Sequence, residues 1–402
     1  MPNNWKTYKL NEVTKLSTGF AFKSKDYENI GDLKVVRGMN VTEGKLRWGD
    51  DSRFWNHSIK DLKKYLIELD DIVIGMDGSK IGKNRAITRE NDLPSILAQR
   101  VARIQAIPNI TCQKYIWQLI NNDYFENYID NIQTGTTIPH ISLGQIGNFE
   151  VKLPPLQEQQ SIASILSAID DKIENNLAIN KTLEEMAMAL YKHWFVDFGP
   201  FQDGEFVESE LGMIPKGWEV KRLDELADIL NTKRIPLSTN QRSKRKGKYP
   251  YYGASGVIDY IDDYVFDGEY VLVSEDGENL RSRSTPIAFS AFGKFWVNNH
   301  AHILKEKEIG YNYLIICHFS QLDMNPYLTG AVQPKLNKQN LLQIGISMPR
   351  DAKLTIDVFN EFEHYSNQII SNIKENQTLT QLRDTLLPQL ISGAVRIKEF
   401  RE

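Results

Sequence analysis

Two hydrophobic rhythms alternate along the chain. Phe149, Val151 and Leu153 alternate with Glu150 and Lys152, the period of a half-buried strand that Pro154 ends. The period then changes: Ile162, Ile165, Ile169, Ile173, Leu177, Leu183, Leu190 and Trp194 recur at three- and four-residue spacing or its multiples. Between Gln157 and Phe195 there is neither Gly nor Pro, which predicts one amphipathic helix about 55 Å long at ~1.5 Å per residue. The same succession returns later. Phe359, Phe362, Ile369, Ile373, Leu379, Leu382 and Leu386 predict a second long helix, stopped by Pro388 and Gly393.

The recurrence is a duplication. TGTTIPHISLGQIGNFEVKLP (134–154) aligns without a gap on TGAVQPKLNKQNLLQIGISMP (329–349), an offset of 195 residues. DIVIGMDG (71–78) matches YVLVSEDG (270–277) at an offset of 199, and Trp5-Lys6 matches Trp218-Glu219 at 213. Carried onward at 199, Gln99-Arg100-Val101-Ala102-Arg103 falls on Asn298-Asn299-His300-Ala301-His302. A period near 200 residues is too long for a solenoid and describes two domain-sized copies. A lone helix of this length has no core along most of itself, so the two helices are expected to bury each other as a coiled coil. The short connector favours an antiparallel pair, with Asn180 and Asn376 as polar positions near the seam.

The expected architecture is therefore α+β: two strand-rich domains separated by two long helices in an antiparallel intramolecular coiled coil, with a pseudo-two-fold internal repeat. Its boundaries are 1–155 for the first domain, 156–198 for the first helix, 199–217 for a linker, 218–350 for the second domain and 351–398 for the second helix.

Composition narrows the function. The 402 residues are 41% hydrophobic and 25% charged, as in ordinary soluble globular proteins. The polar start and the lack of a long apolar run point away from a signal peptide or membrane anchor, and toward a cytoplasmic protein. Two cysteines exclude a disulfide framework or a cysteine-rich zinc site. A net charge of −4 confines any nucleic-acid surface to a local patch. No GxGxxG after a strand, no phosphate-binding P-loop, no HExxH and no nucleophile with an adjacent base occur, so no catalytic or metal site is expected.

Basic and amide-bearing residues are the candidate DNA contacts. Lys80, Lys83, Arg85, Gln99, Arg100 and Arg103 form the set in the first copy; Arg242, Lys244, Arg245, Lys246, Asn298, Asn299, His300 and His302 form that in the second. Lysines and arginines meet phosphates, whereas Asn, Gln, Arg and His offer the donors and acceptors that read base edges. Within the shared Thr-Gly…Pro frame, Thr136, Thr137 and His140 in one copy face Gln333 and Lys335 in the other. One loop frame displaying different side chains suits the reading of different sequences.

Taken together, LPPLQEQ (153–159), ELGMIPKGWE (210–219), SEDGENL (274–280) and GKFWVNNHAHIL (293–304) resemble the specificity subunit of type I restriction-modification systems. The resemblance covers the whole chain. It implies a non-catalytic subunit whose target-recognition domains each read half of an interrupted duplex-DNA site. The helices would dock two methyltransferase subunits, and endonuclease-translocase subunits would join that core. S-adenosylmethionine, ATP and Mg²⁺ would be bound by those partners, with no cofactor on this chain. A fused methyltransferase-nuclease and the recognition subunit of a related Type II-like system are the alternatives. Pro349-Arg350-Asp351 departs from the Pro-Leu-x-Glu-Gln opening of the first helix.

Overall fold

In the computed structural model, residues 4–134, 139–330 and 332–397 are described. The chain divides into two compact units, residues 1–173 with 377–402, and residues 174–376. Each unit takes one recognition region together with part of both long helices.

In the first unit, the five-stranded sheet runs in the order Thr14–Thr18, Val101–Ala106, Ile72–Gly75, Arg85–Ile87, Glu43–Gly44. The strand Lys6–Lys9 pairs antiparallel with Glu150–Leu153, so the start of the chain is tied to the strand that feeds the helix. The second unit repeats this plan. Ala227–Ile229, Ala301–Glu306 and Phe266–Ser274 lie side by side, and Trp218–Arg222 pairs antiparallel with Gly345–Pro349. The copies diverge further out, where Ala288–Val297 and the hairpin Lys246–Gly253/Gly256–Ile261 extend the second sheet to six strands.

Strand pairing corrects the alignment of the copies by one residue. Ile72 faces Ile104 in the first sheet, whereas Val271, its equivalent at offset 199, faces Leu304 in the second. The inner strand is therefore offset by 200, so Arg100 corresponds to His300 and Arg103 to Ile303. Since successive side chains alternate between faces, this slip changes which residues are comparable.

The long helices are Leu156–Tyr191 and Ile356–Ser392. Pro154 and Pro155 precede the first, where a missing N–H costs nothing. Its opening residues explain the Leu-Pro-Pro-Leu-Gln-Glu-Gln signature. Glu158 is fully buried and accepts from the Trp5 indole at 3.3 Å and from Arg396 at 2.8 and 2.9 Å. Gln159 accepts from the Cys112 N–H and donates to the carbonyls of Ile110 and Pro154. The second unit lacks this lock. Lys353 stands at the position of Glu158, and the buried Trp218 indole N–H has no partner. Trp218 is held instead by edge contacts with Phe195, Phe198 and Phe201.

Within each unit the helix segments are antiparallel. Asp170 meets Arg383 at 3.2 Å in the first unit, as Glu158 meets Arg396. In the second, Asn180 accepts from Asn372 at 2.7 Å, and Asn176 donates to Asn376 at 2.8 Å and Glu375 at 2.7 Å. Asn180 and Asn376 are thus polar positions of the seam, each paired with another asparagine one turn away. Pro388 does not stop its helix, which continues to Ser392; Gly393, at φ +74°, ends it. The segment between Gly199 and Gly217 holds a two-stranded hairpin, Phe206–Ser209 with Gly212–Pro215.

Each unit has its own core. Leu10, Ile72, Ile74, Ile104, Tyr115, Phe125 and Phe149 are central to the first, with Leu387 and Leu390 added from the second helix. Leu223, Val271, Val273, Leu304, Leu314, Phe319 and Phe362 anchor the second.

Candidate nucleic-acid interface

Two loops and one turn build the same surface in each unit. In the first, Thr134 and His140 exchange backbone hydrogen bonds (2.8 and 3.1 Å), closing the Thr-Gly loop at its base. The Pro139 carbonyl accepts from Gly78 N–H, and Ile141 N–H donates to Met76, so the loop is seated on the Asp77-Gly78 turn. The second repeats these contacts. Thr329 and Lys335 exchange bonds of 2.8 Å, Pro334 accepts from Gly277, and Leu336 donates to Glu275. Gly78 and Gly277 sit at φ +107° and +109°, which a side chain would strain.

On this frame the first unit displays Arg100 and His140 around Asp77. The Arg100 guanidinium meets Asp77 at 3.0 Å, and Thr18, Met76 and Ile141 complete a recess of about 530 Å³. Gln99 is exposed beside Arg100, while Lys80 and Lys83 are exposed in the chain following the turn. Lys83 lies 3.7 Å from Glu126. Thr136 and Thr137 lie outside the described residues.

The second unit displays His300 and Lys335 around Asp276, with His300 Nδ1 at 2.9 Å from the carboxylate. Asn299 and Gln333 are exposed on the same two segments. Beneath them Glu275, standing where the first unit has Met76, meets Arg234 at 2.6 Å and Lys335 at 3.4 Å. Burial alone would lift the Glu275 carboxyl, but the Arg234 hydrogen bond and the charges of Arg234 and Lys335 outweigh it and hold the group below its usual range.

Four expected contacts face inward. Arg85 is buried, its guanidinium bound to Glu126 at 2.6 Å, Asn121 at 3.2 Å and the Gly82 carbonyl. Arg103 is buried on the face opposite to its neighbours, donating to the carbonyls of Leu66 and Lys64 and pairing with Asp71 at 3.5 Å. Asn298 is buried and accepts from the His300 N–H. His302 is 1% exposed. Its Nε2 faces the Leu336 carbonyl, which only accepts, so Nε2 carries the hydrogen; Nδ1 then accepts from Asn231. Burial holds this imidazole below the usual histidine range, so it is a neutral structural group. Burial and these internal bonds make the four side chains supports for the frame rather than exposed contacts.

The basic run of the second copy is largely neutralised. Arg242 pairs with Asp259 at 3.3 Å and lies 5.1 Å from the Tyr251 ring centre. Arg245 pairs with Asp262 at 2.9 Å above Trp296, and Lys246 pairs with Asp259 at 2.6 Å. Lys244 is exposed. The acids that meet this run come from the following strand and turn, 13 to 18 positions later, which the run itself does not announce.

Asp77 and Asp276 stand in Asp-Gly turns, yet each also holds a side chain from the turn before the neighbouring strand, Arg100 in one copy and His300 in the other. The recurrence of the two aspartates at one offset is a signal present in the sequence.

The sequence matches the family described as the type I restriction modification DNA specificity domain over residues 2–185 and again over 215–380. It is 29% identical over 309 residues to the type I restriction enzyme MjaIX specificity subunit of Methanocaldococcus jannaschii, covering 71% of this chain and 70% of that one. Against the HindI specificity subunit of Haemophilus influenzae it is 24% identical over 483 residues, covering 98% of this chain and all of the other. The crystal structure of a type I restriction-modification S subunit from M. genitalium shares its fold, with a TM-score of 0.63 at 16% identity and 97% of each chain covered. The chain belongs to the type I restriction modification DNA specificity family.

Proposed function

We propose that this chain is the DNA-reading subunit of a type I restriction-modification complex, each unit recognising one half of an interrupted duplex site. The observation that carries the reading is one frame built twice with different side chains on display: Arg100 and His140 around Asp77, and His300 and Lys335 around Asp276. Equivalent frames place two readers, and unlike side chains give them unlike half-sites. Exposed Lys80, Lys83 and Lys244 supply phosphate contacts that position the duplex, while Gln99, Arg100, His140, Asn299, His300, Gln333 and Lys335 face base edges. Thr136 and Thr137 belong to the loop that carries His140 and join this set.

The long helices dock two methyltransferase subunits, and endonuclease-translocase subunits join them. Chemistry is left to those partners: S-adenosylmethionine, ATP and Mg²⁺ bind there, and this chain holds no cofactor. No helix among the described residues is long and apolar enough to cross a membrane.

The test is duplex binding by the chain assembled with its methyltransferase subunits. Affinity should fall linearly with the logarithm of salt concentration, and a fragment carrying the site should outcompete random duplex about a thousandfold or more. Binding that ignores salt and sequence would contradict the reading, as would S-adenosylmethionine binding by the isolated chain.

A further inference from the structure

The one-residue correction between the copies puts Arg100 and His300 at the same place. Met76 N–H donates to the Arg100 carbonyl at 2.9 Å, and Glu275 N–H donates to the His300 carbonyl at 2.8 Å. The residue after each of these donors, Asp77 or Asp276, then grips the side chain of that same partner. The acid is constant and its partner differs, arginine in one copy and histidine in the other. The aspartate side chains are mostly covered, at 27% and 18% exposure, whereas those of Arg100 and His300 are 72% and 47% exposed. The carboxylate therefore belongs to the wall and its partner side chain points outward.

The backbone reinforces this. Arg100 sits at φ +64° in the turn before the strand Val101–Ala106, a left-handed conformation uncommon for a residue with a side chain, which fixes where its Cβ leaves the backbone. One of its five N–H groups faces Asp77, and the remaining edge of the fork stays open. In His300, Nδ1 is committed to Asp276, leaving Nε2 to face outward.

We infer that Arg100 and His300 hold one equivalent base-reading position in the two half-sites, with Asp77 and Asp276 as their positioning residues. The inference rests on the DNA-reading function proposed above. An arginine fork fits the paired N7 and O6 acceptors of guanine, whereas the single outward Nε2 of an imidazole makes one hydrogen bond to a base edge. The two halves should therefore differ in stringency at this position. Guanine is required opposite Arg100, and a looser preference, set by one hydrogen bond, holds opposite His300. Asp77 and Asp276 restrict each partner side chain to one direction, so that it reads a base rather than sweeping across phosphates.

The experiment uses the full chain assembled with its methyltransferase subunits, and maps the methylated motif for the parent, Arg100→Lys, Asp77→Asn and His300→Arg. Lysine keeps charge and reach but loses the fork. Arg100→Lys and Asp77→Asn should each relax the same single position of one half-site, by about tenfold or more in competition between bases, and leave the other half unchanged. His300→Arg should impose guanine at one position of the opposite half. Asp77→Asn should also keep the slope of affinity against salt, a result that loss of a phosphate contact would not give. If the folded variants, checked by their melting curves, modify the parental motif with parental preference, Arg100 and His300 are not readers. If Arg100→Ala lowers the salt slope by about one without relaxing any base, Arg100 is a phosphate contact, and the inference fails while DNA reading by the chain stands. A parent complex without site-specific binding refutes the proposed function itself.

Discussion

At the scale of single residues, burial decides what a charged side chain can do here. Glu306 closes the N-terminus of the helix Tyr311–Gln321 by accepting from the Asn312 N–H at 2.8 Å. Burial, followed by the nearby carboxyls of Glu269 and Glu363, lifts its carboxyl to about 7. A carboxyl raised on folding makes the folded state bind the extra proton between about pH 4.5 and 7, so its contribution to stability falls as pH rises through that window. Glu306→Gln keeps the cap and removes the charge. It should stabilise the protein at pH 8 by about 1–2 kcal/mol, discounted for the partial exposure of the site, and by little at pH 5. Thermal melts at the two pH values check this; equal shifts at both would contradict it. Arg85 works in the opposite sense. Arg85→Met leaves the partly buried Glu126 with only the longer Lys83 contact at 3.7 Å and should cost about 2–3 kcal/mol in urea unfolding, whereas the exposed Lys80→Met should cost under about 0.5 kcal/mol.

Elements report why part of the site was legible and part was not. The Thr-Gly loops, the Asp-Gly turns and both long helices could be read from spacing, because Gly, Pro and a helical apolar period constrain the backbone directly. The face on which Arg103 and His302 lie could not. It depends on a register between strands distant in sequence, and the second copy gains one residue between Ser274 and Ala301 relative to Gly75 and Val101. Similarly, Arg242, Arg245 and Lys246 read as open charge, because Asp259 and Asp262 reach them only through the hairpin. In the helices, the asparagine layer was legible as polar positions but not as pairs. Asn372 donates its side-chain amide to Asn180, and its Oδ1 accepts from Gln368 at 3.0 Å. Asn180→Leu alone leaves a buried amide unpaired and should cost about 1–3 kcal/mol. Asn180→Leu with Asn372→Leu should recover most of that loss, because two apolar groups replace a bonded pair. Urea denaturation of the parent, both single variants and the double variant measures the coupling; simple additivity would show that the pair is not a unit.

For the whole molecule, the duplication is the functional fact. Each unit carries its own sheet, its own core and its own Thr-Gly surface, so each can change its displayed residues without disturbing the frame of the other. The family match recurs over both copies, at residues 2–185 and 215–380. The central claim is that the units read separate halves of one site. Its most direct measurement replaces residues 1–155 with the equivalent region of a relative that has a different site, assembles the hybrid with its methyltransferase subunits, and maps the methylated DNA motif. One half of the motif should change to the relative's half while the other half stays parental. A hybrid that folds and methylates, but changes both halves or neither, would contradict the account.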